Sequence, residues 1–265
     1  MNKRMPLTKN DPPGTQSLQR TFAVLRALSS RHGGWKLGEL AAYCQLHHST
    51  LHRILAALSK EEMVARDPRT QLYVLGRLAF ELGVAAQPRH DWRALSAQTL
   101  DELAIQTGDT AFLNIRSGPD SVCIDRREGS YPVKALTVEI GARRPLCVSA
   151  GGAAILTRLP DAEIQAILAA SQTYMKRFPA DRLAAVMRVL ETSRQLGYGY
   201  NSNLIVNGVS AIGVAITDSL NRPIAALSIA AISSRITGSR LQKIVALLQD
   251  QAHSLSRKLQ QHQLK

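Results

Sequence analysis

The chain has 265 residues, 45% hydrophobic and 20% charged, and no run nears the roughly 18 to 20 apolar residues of a bilayer span, which excludes a membrane-spanning protein and a disulfide-stapled miniature. Its 33 basic and 20 acidic residues leave a net +13; residues 1–90 hold 13 basic and 6 acidic side chains against 20 and 14 in residues 91–265, so the first third carries about twice the charge per residue. Such asymmetry is the electrostatic footprint of a nucleic-acid module joined to a more neutral domain.

Residues 1–16, with Pro6, Pro12 and Pro13 and no hydrophobic period, read as a flexible basic arm. It lacks the apolar stretch of a secretory signal, which predicts a cytoplasmic chain. From Ser17 onward Leu18, Phe22, Leu25 and Leu28 recur at helical spacing until the Gly33-Gly34 pair. A second stripe, Leu37, Leu40, Ala41 and Cys44, is separated by Gln45-Leu46-His47 from a third, Leu51, Ile54, Leu55 and Leu58. Two short helices about a three-residue turn spell helix-turn-helix. Extended segments at 64–66 and 72–75 flank Asp67-Pro68-Arg69-Thr70, where proline suits the second turn position, so a hairpin follows. The sum is a winged helix-turn-helix over 17–77 and a linker helix over 78–90 that breaks at Pro88.

Residues 91–265 alternate between the two periods. A helix is predicted over 92–106, strands over 110–116 and 122–127 about Ser117-Gly118-Pro119-Asp120, and an irregular extended stretch over 130–146. Helices follow over 150–158, 161–170 and 181–196, then strands over 211–217 and 224–232 about a turn at 218–222, and a last helix over 239–259. Grouped strands bracketed by helices predict an α+β domain with an antiparallel sheet.

The second helix of a helix-turn-helix enters the major groove and reads base edges near its N-terminus. In HHSTLHRILAALSK the side chains facing away from the leucines are His47, His48, Ser49, Thr50, His52 and Arg53, all hydrogen-bond donors. Arg53 suits bidentate contact to guanine. Arg20, Arg66 and Arg69 are placed for phosphates, which position the module without reading sequence. Cys44, His47, His48 and His52 also have the look of a zinc cluster, but Cys44 lies on an apolar stripe and no second cysteine pair exists. No metal or cofactor is expected.

The runs SLQRTFAVLRALS, LGELAAYCQLHHSTLHRILAAL and LGYGYNSN with AIGVAITDSLNRPIAALSI resemble, in this order, three stretches of the IclR-type transcriptional regulators, and the likeness spans Ser17 to about Leu259. The resemblance implies a homodimer or dimer of dimers that binds double-stranded DNA at a pseudo-palindrome. It also implies a C-terminal domain over 91–265 related to GAF and PAS sensor folds, which binds a small-molecule effector and regulates a catabolic operon as repressor or activator. One pocket wall would come from Cys147, Ser149, Gly151, Gly152 and Ala153, the other from Asn201 or Ser202, Ala211, Ser228 and Ala230. The lysine and the acidic residue usual at such places are missing, which predicts a roomy, less polar pocket. Ser149 would cap a helix whose first N–H groups, from Ala150 to Ala153, favour an anion. An aromatic or short aliphatic carboxylate then fits. Glu62 stands where many relatives end the recognition helix with glycine, which argues against a left-handed cap there.

Two other classes compete. An enzyme on the same scaffold would use the Cys147 or Cys123 thiol, but no histidine lies between positions 90 and 253 to serve as its base, so no catalysis is expected. A DNA-binding protein whose second domain only oligomerises fits less well with glycine and serine grouped at a helix start. Expected partners are duplex DNA, the effector and another copy of the chain, with no membrane.

Overall fold

The computed structural model describes residues 15–31, 33–86, 92–175, 180–204 and 206–263. Most of the expected basic arm, and the break at Pro88, lie outside the described residues. The chain divides into two compact units between Asp91 and Trp92.

The first unit runs α1 (Thr15–Ser29), α2 (Leu37–Cys44), α3 (His48–Lys60), β1 (Val64–Arg66), β2 (Tyr73–Leu75) and α4 (Arg77–Ala86). Leu40 and Ala41 of α2, Leu51 and Leu55 of α3, and Val24, Ala27 and Leu28 of α1 meet in one apolar cluster closed by Trp35, Val64 and Tyr73. Each leucine buried there contributes about 1.5–3 kcal/mol, enough to hold short helices that would not persist alone. The inner face of α1 differs from the one its leucine spacing predicts. Val24 and Ala27 point inward with Leu28, while Leu18 and Phe22 are 60% and 53% exposed.

The turn between α2 and α3 is a left-handed cap on Gln45 (φ 53°), with Leu46 N–H donating to the Ala41 carbonyl and Gln45 N–H to that of Ala42. The same motif ends α3. Met63 N–H reaches the Leu58 carbonyl, Glu62 N–H that of Ser59, and Glu62 takes φ 53°, so the left-handed cap argued against from its glutamate forms nonetheless, on a non-glycine residue. Its side chain pairs with exposed Arg77 at 3.1 Å. A surface pair contributes little, whereas a left-handed non-glycine residue costs about 1 kcal/mol. Glu62→Gly should therefore stabilise the first unit by about 0.5–1 kcal/mol in urea unfolding; a loss would show that the Arg77 pair outweighs the backbone strain.

Strands β1 and β2 pair antiparallel as the wing, and Trp35 exchanges two backbone hydrogen bonds with Tyr73 at 3.0 and 2.9 Å, tying the α1–α2 connection to it. At the wing tip the Asp67 carboxylate accepts from the Arg69 and Thr70 amides at 2.7 and 3.0 Å. Those two amides, Thr70's first, hold its pKa below the ordinary value.

The second unit runs α5 (Trp92–Thr107), β3 (Thr110–Ser117), β4 (Asp120–Arg127), β5 (Arg143–Pro145), a 3₁₀ turn (Leu146–Val148), α6 (Ala150–Leu156), α7 (Asp161–Met175), α8 (Ala180–Leu196), β6 (Gly199–Ser202), β7 (Val209–Thr217), β8 (Pro223–Ile232), a second 3₁₀ turn (Ser233–Arg235) and α9 (Gly238–Gln263). The strands form one antiparallel sheet in the order β5-β4-β3-β8-β7-β6. Strand side chains alternate, so the register sorts them into two faces. Leu113, Ile212, Ile216, Leu227 and Ile229 bury against Leu100 and Leu103 of α5 and Leu248 and Leu255 of α9. The opposite face carries Phe112, Asn114, Ala211, Gly213, Ser228 and Ala230, through the pairings Phe112↔Ser228, Gly213↔Ser228 and Ala211↔Ala230.

Helix α6 starts directly on that face. Gly199 of β6 pairs with Gly213 of β7, and a Cβ on the first would lie 1.8 Å from the Ala150 carbonyl oxygen, on the second 2.6 Å from its carbon. Only glycine at both positions lets the helix begin against the sheet backbone. Beyond it, Ile155 and Leu156 join Ile164 and Ile167 of α7 and Val186 and Leu190 of α8 in a second core.

Candidate functional site

In the first unit, 100° per residue along α3 opposes the buried Leu51 and Leu55 with an outward stripe of Ser49, Arg53, Ala56 and Lys60, all exposed. Arg53 is thus at the centre of the solvent face. Thr50, Ile54 and Ala57 flank it on the side of α1, where Arg53 and Arg20 line one groove together with Ser17 and Glu61. His52 is exposed, and the His48 ring lies over α2 at Gly38. His47 is not a free donor. It caps α3, its Nδ1 accepting from Ser49 N–H at 3.4 Å and bonded to the Ser49 hydroxyl at 2.8 Å. On the wing Arg69 projects into solvent, while Arg66 donates to the Gln71 carbonyl and stacks 5.5 Å from the centre of Tyr73. Cys44 packs into the core, and burial pushes its thiol up to about 11. Among the described residues no three His, Cys, Asp or Glu side chains group as a metal site.

In the second unit a cavity of about 60 Å³ lies between the second sheet face, the start of α6 and the loop at 137–142. Of the residues expected from sequence, Ser149, Gly151, Asn201, Ala211, Ser228 and Ala230 line it. Four others do not. Cys147 turns away in its 3₁₀ turn and buries among Leu146, Ile167 and Leu190. Gly152 meets the Leu146 carbonyl, where a Cβ would come within 2.0 Å of the oxygen. Ala153 is buried in α6, and Ser202 bonds to the Ser210 hydroxyl at 3.0 Å. The Gly152 and Ala153 amides are also already bonded, to the Ser149 hydroxyl at 3.0 Å and carbonyl at 2.8 Å. Asn201 lines the cavity with its amide committed, Nδ2 donating to the Val148 carbonyl at 3.2 Å and Oδ1 accepting from Leu204 N–H at 3.3 Å.

The cavity also contains groups that the sequence reading missed, and they overturn the expectation of a pocket without charge. Arg144 of β5, Ser121 of β4 and Asn114 of β3 share its wall with Phe112. Arg143 is neutralised by Asp120 at 3.2 Å, but Arg144 pairs with no acidic side chain among the described residues and gives one N–H to the Thr137 carbonyl at 2.6 Å. The available signal was alternation: Asn114 interrupts the apolar run of residues 111–115 in β3, on the same face as Phe112. Arg144 had none, because its three-residue strand falls in a stretch without a period.

Both thiols of the second unit are buried. Burial pushes Cys123 up to about 12 and raises Cys147, where Ser171 offsets only part of the effect. No helix among the described residues is long and apolar enough to cross a membrane.

Two family profiles match the chain in succession: the IclR helix-turn-helix domain over residues 17–68, and the Bacterial transcriptional regulator IclR C-terminal over residues 84–257. The chain is 29% identical over 246 residues to the HTH-type transcriptional repressor AllR of Escherichia coli, covering 92% of this chain and 90% of that one. To the HTH-type transcriptional regulator XynR of Escherichia coli it is 30% identical over 249 residues, covering 93% and 98%. Among solved structures, an IclR family transcriptional regulator from Brucella abortus superposes with a TM-score of 0.75 at 20% identity, over 96% of both chains. An IclR homolog from Microbacterium hydrocarbonoxydans complexed with 4-hydroxybenzoate gives 0.68 at 18% identity, over 92% and 98%. These relatives are transcriptional regulators and not enzymes, each part of the chain has its counterpart in them, and the chain therefore belongs to the IclR family of DNA-binding transcriptional regulators.

Proposed function

We propose that this regulator recognises a pseudo-palindromic operator as a symmetric oligomer and responds to a small carboxylate held in the second unit. The observation that carries the reading is the cavity itself, lined by Arg144, which meets no acidic side chain among the described residues, and by the polar side chains Asn114, Ser121, Ser149 and Ser228. A structural homologue complexed with 4-hydroxybenzoate supports a small-molecule effector here.

Exposed Leu18 and Phe22 on α1, and Phe80, Leu82 and Val84 on α4, are apolar surface that a second copy would cover. Two modules on one duplex add their contacts, since a single winged helix buries too little DNA for regulatory affinity. Ser49, His52 and Arg53 face base edges, with Thr50 beside them, while His48 packs over α2; Arg20, Arg66 and Arg69 take phosphates. His47 contributes by fixing the start of α3 and orienting Ser49.

Selection from a random duplex library by the full chain should return half-sites related by a dyad. Arg53→Ala should weaken binding to the selected duplex by about 1–3 kcal/mol, roughly 5- to 150-fold, and relax preference at one position of each half-site. Unchanged affinity and preference in fluorescence anisotropy would remove Arg53 from the readout.

A further inference from the structure

Ser49 and Arg53 lie one helical turn apart on the outward stripe of α3, about 6 Å from each other along the axis, and both are exposed. The guanidinium of Arg53 only donates. A serine hydroxyl ordinarily turns its proton to suit whatever it meets, so it bonds a donor or an acceptor alike and discriminates poorly between bases. Ser49 lacks that freedom, because of the residue that caps the helix.

The Ser49 hydroxyl is 2.8 Å from His47 Nδ1, and the Ser49 amide N–H reaches the same nitrogen at 3.4 Å. A backbone amide can only donate, so Nδ1 holds a lone pair and the proton of the neutral ring sits on Nε2. A nitrogen that accepts from the amide accepts from the hydroxyl too, and the hydroxyl bond is the shorter. His47 Nδ1 is the one partner of that hydroxyl among the described residues. The Ser49 proton is thus turned back to the helix start, and Oγ presents only lone pairs to the solvent side. In the major groove the exocyclic amines of adenine and cytosine donate, whereas guanine O6 and N7 and thymine O4 accept. An oxygen stripped of its donor bonds the amines and faces the keto oxygens lone pair to lone pair.

We infer that His47 makes Ser49 an acceptor-only reader, which restricts one position of each half-site to adenine or cytosine, the bases with a major-groove amine. Ser49 makes the contact, and His47 is a positioning residue that sets its polarity. Base pairs are stacked about 3.4 Å apart, so the restricted position lies within about two steps of the one that Arg53 reads. The inference rests on the base-reading face proposed for α3 and adds the chemical feature that this face selects and the residue that imposes the choice.

The test is fluorescence anisotropy of the full chain on the duplex selected from the random library, with all four bases placed in turn at each position of both half-sites. At one position the wild type should prefer adenine or cytosine over guanine and thymine by about fivefold or more. Replacing the preferred base by its analogue without the amine, purine for adenine or 2-pyrimidinone for cytosine, should cost as much. Ser49→Ala should erase the preference there and leave the position read by Arg53 unchanged. His47→Ala frees the hydroxyl to donate, so guanine and thymine should rise to within about twofold of the preferred base. His47→Asn, whose Oδ1 caps the helix and accepts the same proton, should keep the wild-type ratio. A merely structural role for His47 would weaken all duplexes together and leave the ratio intact in His47→Ala, which would overturn the inference. So would wild-type preference at every position in Ser49→Ala, or a preference for guanine or thymine that Ser49→Ala abolishes. If no duplex were selected at all, the base-reading face would fall and the inference with it; loss of preference with Arg53→Ala but not with Ser49→Ala would keep that face and remove the inference alone.

Discussion

Asp109→Ala should destabilise the second unit by about 3–5 kcal/mol, read as the loss of its urea or thermal transition in the full chain. Asp109 opens β3 after α5 ends, and its carboxylate is almost wholly buried. Arg235 Nε donates to Oδ1 at 2.8 Å and Arg240 Nη2 to Oδ2 at 2.7 Å, while both guanidinium groups also donate to the Thr107 carbonyl, at 3.2 and 2.6 Å. Arg235 lies 3.7 Å over the ring of Tyr131. One anion thus gathers the turn after β8, the start of α9 and the end of α5 around the first strand. Hydrogen bonding to Asp109 is the leading cause of the raised Arg235 pKa, in keeping with a cation that depends on this partner. Alanine leaves two half-buried cations facing each other, and uncompensated charge is what makes breaking such a cluster costly even where forming it gains little. Asp109→Asn keeps the shape and should cost less. A deficit below about 1 kcal/mol for alanine would mean that both arginines relax into water and that the cluster is incidental.

The second large effect is expected of Asn201→Asp, which inserts the acidic residue that the family resemblance associates with this position. Asn201 is buried and donates to the Val148 carbonyl while accepting from Leu204 N–H. Aspartate preserves the second bond and turns the first into two oxygens facing each other, so at neutral pH the variant should lose about 2–4 kcal/mol. The sign of its pH dependence follows. Burial and the facing carbonyl raise the new carboxyl's pKa in the folded chain above its unfolded value near 4, so the deficit is complete above the folded pKa and shrinks as pH falls toward the unfolded one. Thermal midpoints of both proteins between about pH 4 and 8 should therefore converge at the acid end. A deficit independent of pH would show that the loss is steric. The amide joins β6 to the turn that leads into α6, and an acid cannot make that donation.

The parts of the fold visible in sequence are those with a period or a turn chemistry long enough to repeat. Leu51, Ile54, Leu55 and Leu58 announce α3, and Asp67-Pro68 announces the wing whose tip Asp67 then caps. Strand β6, four residues ending in Asn201 and Ser202, and β5, three residues containing Arg144, are too short for alternation to register. Leu18 and Phe22 follow the helical period yet face outward, because periodicity identifies an apolar face without saying what covers it. Glu62 shows the reverse case, where backbone hydrogen bonds from Met63 and Glu62 impose a left-handed residue against its local preference. In the cavity, Ser228 and Gly151 were legible through the family's motif; Asn114 shares the face of Phe112 two residues before it on β3, a signal only alternation carries, and Arg144 became visible only through its cross-strand neighbour Ser121.

How the cavity reaches DNA is the central claim, and linkage makes it measurable. A ligand shifts DNA affinity only if it binds two states of the assembly unequally, and the DNA must then shift ligand affinity by the same factor. The direct measurement is a calorimetric titration of a small carboxylate that binds the full chain, made on the chain alone and saturated with the selected duplex, beside anisotropy of the duplex with and without the acid. The two ratios should agree and lie between about 5- and 150-fold. A ligand that fills the cavity yet binds with the same affinity in the presence and absence of duplex would contradict the account.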